Sequence, residues 1–390
     1  EEWARGRPGL EDYARFRAAG ERIGKAWTEW PEAMRDGAIP GEAIDPDALR
    51  YHRYVQWIAA EQMDAAARSA RAAGSSLYLD LPLGVHPEGY DAWRYRRLFA
   101  EGSAAGAPPD AFFTGGQSWG FRPFHPERLR EDGYGYLARG LRTAMARAGL
   151  ARIDHVMAFH RLFWVPEGMR PTDGVYVKYP EDEMYAVLAI EAHRASCAVV
   201  GEDLGTVPGE VREEMFRRSL LRMHVLQIEI EGAEGPSPPE AAPWSLASLN
   251  THDMPPFAAF WRGLDLEDRF HLGLCDAEGL RREQARREDV RRTLLRILRG
   301  GGWLGEDESE EAVLAGCLEM LSSGPSRLLQ INLEDLWLED RPQNVPGTSS
   351  ERPNWLRRSR LAVEEILDSR RVRASLERVG ALRTRGDVTE

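Results

Sequence analysis

The chain has 390 residues, of which 43% are hydrophobic and 29% charged, a balance that excludes the disordered and fibrous classes and permits a large core. Its formal net charge of -12 argues against nucleic acid or an anionic membrane as the main partner, because both select concentrated Lys and Arg. A neutral ligand fits better.

Cys197, Cys275 and Cys317 lie far apart without CxxC spacing, so neither a disulfide framework nor a zinc site is indicated, and a reducing cytoplasm is the expected compartment. No apolar run approaches the roughly 18 to 20 residues that span a bilayer, and the start lacks a basic segment followed by an apolar one. Residues 1–75 read as a helical, Trp- and Arg-rich segment without clear strands, leading into a barrel core over residues 76–390. Short β-like runs then recur at 77–82, 151–159, 197–204, 223–230, 245–253 and 327–336. Their continuous apolar character suits strands buried on both faces of a parallel sheet. Amphipathic helical stretches are expected at 47–73, 128–148, 181–196, 210–219 and 277–299, and loops at 102–109, 231–243 and 339–353. The Arg-rich stretch 281–299 mixes its arginines with acids, as a solvated helix face does.

This alternation predicts an α/β fold, a TIM (β/α)8-type barrel with helical insertions. Six strands fall short of the eight a closed barrel needs, and open edges are costly. The expectation is therefore one catalytic barrel domain over residues 1–390 that is incomplete at its N-terminus and lacks the first two strands.

In such a barrel the strand C-terminal ends converge on the active face. Asp154, Glu202 and Asp253 each stand at the end of a predicted strand, and Arg152, two residues before Asp154, points to the same side. Three carboxylates around one mouth suit glycoside chemistry. In a retaining enzyme one carboxylate attacks the anomeric carbon while another, about 5 to 5.5 Å away, protonates the leaving oxygen. Arg152 would favour the charged form of Asp154, an apolar setting would raise Glu202 into the acid/base range, and Asp253 would stabilise positive charge on the sugar. Any single strand-end acid is more often a helix cap or salt-bridge partner; three at strand ends are harder to dismiss. His155, His160 and His252 lack the HxH or HExxH spacing of a metal centre. Sugar hydrogen bonding suits His252. Trp119, in the Gly-rich segment 115–120, is a candidate sugar platform among 12 tryptophans.

The motifs Asp80-Leu81-Pro82, Pro109-Asp110-Ala111-Phe112-Phe113 running into Gly116-Gln117-Ser118-Trp119-Gly120, Arg152-Ile153-Asp154-His155, Glu202-Asp203-Leu204-Gly205, Met223-His224-Val225-Leu226-Gln227, Thr251-His252-Asp253 and Asn344-Val345-Pro346-Gly347-Thr348 with Asn354-Trp355 occur in this order. The set resembles the amylomaltases, the 4-α-glucanotransferases of glycoside hydrolase family 77. The resemblance implies Asp154 as nucleophile, Glu202 as acid/base and Asp253 as transition-state stabiliser. It also implies that Arg152, His252, Asp80, Gln117, Trp119 and Asn344 line the glucan subsites, and His155 is a further candidate for substrate binding. Maltooligosaccharides and α-1,4-glucans would be the substrates, transferred through a covalent glucosyl-enzyme with no cofactor. His224 stands where a more basic residue is usual, and residues 254–256 and 349–353 depart from the family pattern. An α-glucan hydrolase with the same carboxylates, a non-catalytic glucan-binding barrel and a metal-dependent barrel hydrolase are the rival readings.

Overall fold

The computed structural model describes residues 2–109, 115–233, 235, 237–348 and 350–386. The Asp110-Ala111-Phe112-Phe113 part of the sequence motif lies outside the described residues. The chain divides into two compact units, Glu1–Leu220 and Leu221–Glu390.

The first unit contains strands β1 (Leu77–Leu81), β2 (Ser103–Ala107), β3 (Gln117–Ser118), β4 (Ala148–Ile153), β5 (Arg161–Pro166), β6 (Val175–Lys178) and β7 (Ala198–Gly201). Strands β1, β4 and β7 form a parallel sheet in that order. Asp80 is level with Arg152 and Val200, and Leu81 with Ile153 and Gly201. The ladder continues past the strands, because the N–H of Asp154 donates to the Leu81 carbonyl and that of Glu202 to the Ile153 carbonyl. Two helices, Gly135–Met145 and Glu181–Ala195, run into β4 and β7 and pack against each other. Leu137, Leu141, Met145, Met184 and Leu188 join Ala151, Ile153 and Val199 in one core. The helix Glu181–Ala195 opens with Glu181, Asp182 and Glu183 and closes on Ser196 in the left-handed region, both suited to its terminal partial charges.

Gly201, the last residue of β7, is needed for close packing. A Cβ there would lie 2.8 Å from Met215 Cε and 3.0 Å from Val156 Cβ. Gly201→Ala is expected to destabilise the unit by about 1–3 kcal/mol, an overpacking cost, measured by urea unfolding. A variant as stable as the parent would show that the seam is loose.

A separate aromatic core forms where the helix Pro8–Ile23 packs with the helix Pro46–Ala72. It buries Phe16, Trp27, Trp30 and Trp93, with the Phe16 and Trp93 rings 5.0 Å apart. Asp45 starts the longer helix by accepting from the N–H groups of Asp47 and Ala48, as N-cap residues do. Three of the tryptophans are thereby structural.

The second unit holds β8 (Arg222–Val225), β9 (Ser245–Ser248) and β10 (Leu328–Gln330), parallel and in the order β10-β9-β8. The helices Ala277–Gly300 and Glu310–Ser323 supply much of its core. The Arg-rich helix buries Val290, Leu294, Ile297 and Leu298, an i, i+4, i+7, i+8 stripe. Arg282, Arg291 and Arg292 pair with acids of the same helix, the solvated arrangement expected from the charge pattern.

All six predicted parallel strands are present, but several are shorter than expected. Residues 156–159, 226–229 and 333–337 are helical turns rather than strand ends; their apolar character reflects burial, which does not by itself distinguish strand from helix. The stretch 128–148 contains two pieces rather than one helix, Pro126–Glu131 and Gly135–Met145, with Gly133 and Tyr134 left-handed between them. The expected loop at 102–109 contains β2, which belongs to an antiparallel sheet of order β3-β2-β5-β6 that the β/α reading did not foresee. Among the described residues no helix is long and apolar enough to cross a membrane.

Candidate active site

Arg152 organises the strand ends of the first unit. Its Nη1 donates to both Asp80 carboxylate oxygens at 2.9 and 2.8 Å, and its Nη2 pairs with Asp154 Oδ1 at 2.8 Å. Burial opposes the guanidinium charge, but the Asp154 and Asp80 carboxylates outweigh it and raise its pKa. The planar fork therefore holds two carboxylates at once, which a lysine could not do with the same geometry. Asp80, expected to line the substrate, is first of all a partner of Arg152.

Glu202 sits beside this group on the neighbouring strand end, with its side chain only 11% exposed. Oε1 accepts from the Leu204 N–H at 2.8 Å and Oε2 from the His155 N–H at 2.9 Å. Burial pushes the Glu202 carboxyl up to about 7 and the nearby Asp154 charge adds to this, against the opposing pull of the two backbone N–H groups and Arg152. A carboxyl group poised near neutrality can both give and take a proton. His155 itself adopts a left-handed φ of 46°. Burial pushes its imidazole down to about 4, so it is neutral at pH 7.

Trp119 stands edge-on to His155, with ring centroids 5.2 Å apart, and stacks on Phe121 at 6.1 Å. Its indole N–H donates to Gln117 Oε1 at 3.3 Å. Asp80, Arg152 and Asp154 thus form one contacting group and Glu202, His155, Trp119 and Gln117 another, joined where Asp154 precedes His155 in the chain. Leu83, Phe121, Phe124, Phe159 and Leu162 wall a mostly apolar cavity of about 160 Å3 that reaches Asp154. His160, weighed as a metal ligand, instead bridges Glu181 at 2.7 Å and the Tyr185 hydroxyl at 3.1 Å.

In the second unit Asp253 receives Asn344 Nδ2 on Oδ1 at 2.6 Å and lies 3.2 Å from His252 Nε2 through Oδ2. Three of the sequence-derived candidates therefore meet there. A buried polar network that sequence reasoning missed fastens the segment carrying them. Asp335 accepts from the Phe257 N–H at 2.7 Å and from Asn250 Nδ2 at 3.0 Å. Asn332 donates to Asn250 Oδ1, and Gln227 Nε2 reaches the Pro255 carbonyl at 3.3 Å. Burial pushes Asp335 up to about 6 against these two hydrogen bonds. Asp335→Ala is expected to cost about 2–4 kcal/mol, because it orphans two buried donors. Urea denaturation measures this, and a loss below about 0.5 kcal/mol would mean that water replaces the carboxylate.

Acids at the C-terminal ends of parallel strands give this α/β protein a candidate carboxylate site. The chain belongs to the family described as 4-alpha-glucanotransferase, which matches residues 1–363. That match includes the helical region before Asp80, where the sequence motifs quoted above begin. The chain is 41% identical over 360 residues to a 4-alpha-glucanotransferase of Mycobacterium tuberculosis, covering 89% of this chain and 49% of the relative. It is 31% identical over 364 residues to one of Haemophilus influenzae, covering 90% and 52%. It spans about half the length of these curated relatives. The amylomaltase of Corynebacterium glutamicum superposes with a TM-score of 0.82 at 29% identity, over 96% of this chain and 54% of that one. An amylomaltase of Streptococcus agalactiae, solved in complex with acarbose, matches in fold with a TM-score of 0.80 at 19% identity, over 98% and 74%. The fold class expected from sequence, α/β of TIM-barrel type, is that of these neighbours.

Proposed function

We propose that this protein is a 4-α-glucanotransferase that moves α-1,4-glucan segments between maltooligosaccharides by double displacement at Asp154. The observation that carries the reading is the pairing of an Arg152-bound Asp154 with a buried Glu202 poised near pH 7. Arg152 engages Asp154 Oδ1, which leaves Oδ2 to attack the anomeric carbon. As the C1–O bond breaks, Glu202 gives its proton to the departing oxygen. In the second half the acceptor hydroxyl returns a proton to Glu202 and attacks C1, releasing Asp154. Asp253 is assigned the stabilisation of positive charge on the ring. Asp80, Gln117, Trp119, His155, His252 and Asn344 are assigned sugar contacts, for which the aromatic and hydrogen-bonding groups around Asp154 and Asp253 give support. The family membership and the names of the relatives support transfer over hydrolysis.

Incubation with maltotriose tests this. The expected products are glucose and maltooligosaccharides longer than the substrate, since hydrolysis alone cannot lengthen a chain. Products no longer than maltotriose would overturn the transferase reading.

A further inference from the structure

Trp355 has a combination of properties that packing does not explain. It is 60% exposed, yet its backbone is held at φ 58°, a left-handed conformation that a bulky L residue adopts only under constraint. The constraint is visible on both sides. The Trp355 N–H donates to the Gln343 carbonyl at 2.8 Å. The preceding Asn354 accepts from the Val345 N–H at 3.0 Å and donates to Thr348 Oγ1 at 3.2 Å. Two residues on, Arg357 donates to Glu334 Oε1 at 3.0 Å and to the Arg341 carbonyl at 2.9 Å, and Gln343 reaches the same Glu334 oxygen at 3.0 Å. This clasp holds a large apolar ring out of the core, 5.7 Å from the His252 ring, while His252 and Asn344 both contact Asp253.

We propose that Trp355 is a stacking platform for a glucose unit of the glucan, seated beside Asp253; this rests on the glucan-acting reading of the same site. Pyranose C–H faces pack on an exposed indole, and a ring fixed before binding loses little conformational freedom on contact. Backbone strain kept at an exposed residue fits a binding role, since folding alone would favour its relief.

The test is calorimetric titration of maltoheptaose into the full chain and its Trp355→Phe, Trp355→Ala and Trp355→Gly variants, alongside thermal unfolding. Glycine accepts φ 58° without strain, so Trp355→Gly is expected to unfold at the same temperature as the parent or higher while losing about tenfold in affinity. Trp355→Ala is expected to lose the same, and Trp355→Phe to recover part of it. Unaltered affinity in the Ala and Gly variants overturns the platform but leaves the glucan reading standing. A fall in unfolding temperature in Trp355→Gly makes the ring a packing residue and overturns it too. Absence of maltoheptaose binding by the parent chain overturns both readings.

Discussion

Asp154→Asn is expected to lower transfer from maltotriose roughly 10³- to 10⁵-fold, the scale on which loss of a covalent nucleophile acts. An amide oxygen is a poor nucleophile and cannot form the acyl-type ester bond to the sugar. The substitution also weakens the ion pair with Arg152 Nη2, while the two hydrogen bonds from Nη1 to Asp80 keep the guanidinium in place. The backbone ladder on either side is untouched. The expected signature is therefore a collapse of kcat in a protein that retains its circular dichroism and its affinity for maltooligosaccharide. A residual rate within tenfold of the parent would remove Asp154 from the nucleophile's role.

Glu202→Gln carries the second large effect, and its direction differs between activity and stability. Glu202 must be protonated to help the leaving oxygen depart, so kcat/KM is expected to fall as pH rises through about 7, and this alkaline limb should vanish in the variant. The loss should be far smaller with an α-maltosyl fluoride donor in the first half-reaction, because fluoride leaves without a proton. Stability runs the other way. The folded-state pKa is raised from 4.5 to about 7, so between those values the folded protein holds a proton the unfolded chain has released. Stability accordingly declines as pH rises through this window and levels off above it. Glutamine removes the cost of the buried charge, so Glu202→Gln should be more stable than the parent at pH 8 by about 3 kcal/mol, with the difference gone near pH 4. Parallel urea unfolding at the two pH values decides the point. A variant less stable than the parent at pH 8 would mean that the two backbone N–H bonds outweigh burial.

What could be read from the sequence follows the range of the interactions. The six parallel strands were legible because Ala-Val-Val at 198–200 and its counterparts carry the apolar signature of a doubly covered strand. The acids were legible because they punctuate those runs. Strand β2, Ser-Ala-Ala-Gly-Ala, carries no such signature. Its small residues answer to a partner strand further along the chain, since a Cβ at Gly106 would fall 2.1 Å from the Gln117 carbonyl oxygen. The role of Trp93 shows only in the fold, where Phe16 and Trp30, more than sixty residues earlier, lie against it. Of the two backbone N–H groups aimed at Glu202, that of Leu204 is local, while that of His155 comes from the neighbouring strand end 47 residues earlier. Asp335 was hidden for another reason: its partners Asn250 and Phe257 come from a different part of the chain.

Strands β4 and β7 are hydrogen-bonded neighbours, with Ile153 facing Gly201, so Asp154 and Glu202 emerge one step beyond a matched pair. Adjacent strands stand about 4.8 Å apart, close to the spacing at which one carboxylate reaches the sugar directly and well short of the roughly 6.5–9.5 Å that admits a water for single displacement. If Asp154 and Glu202 act as proposed, this main-chain neighbourhood favours a retained product: each displacement inverts the anomeric centre, two restore it, and the transferred sugar would keep the α configuration of its donor.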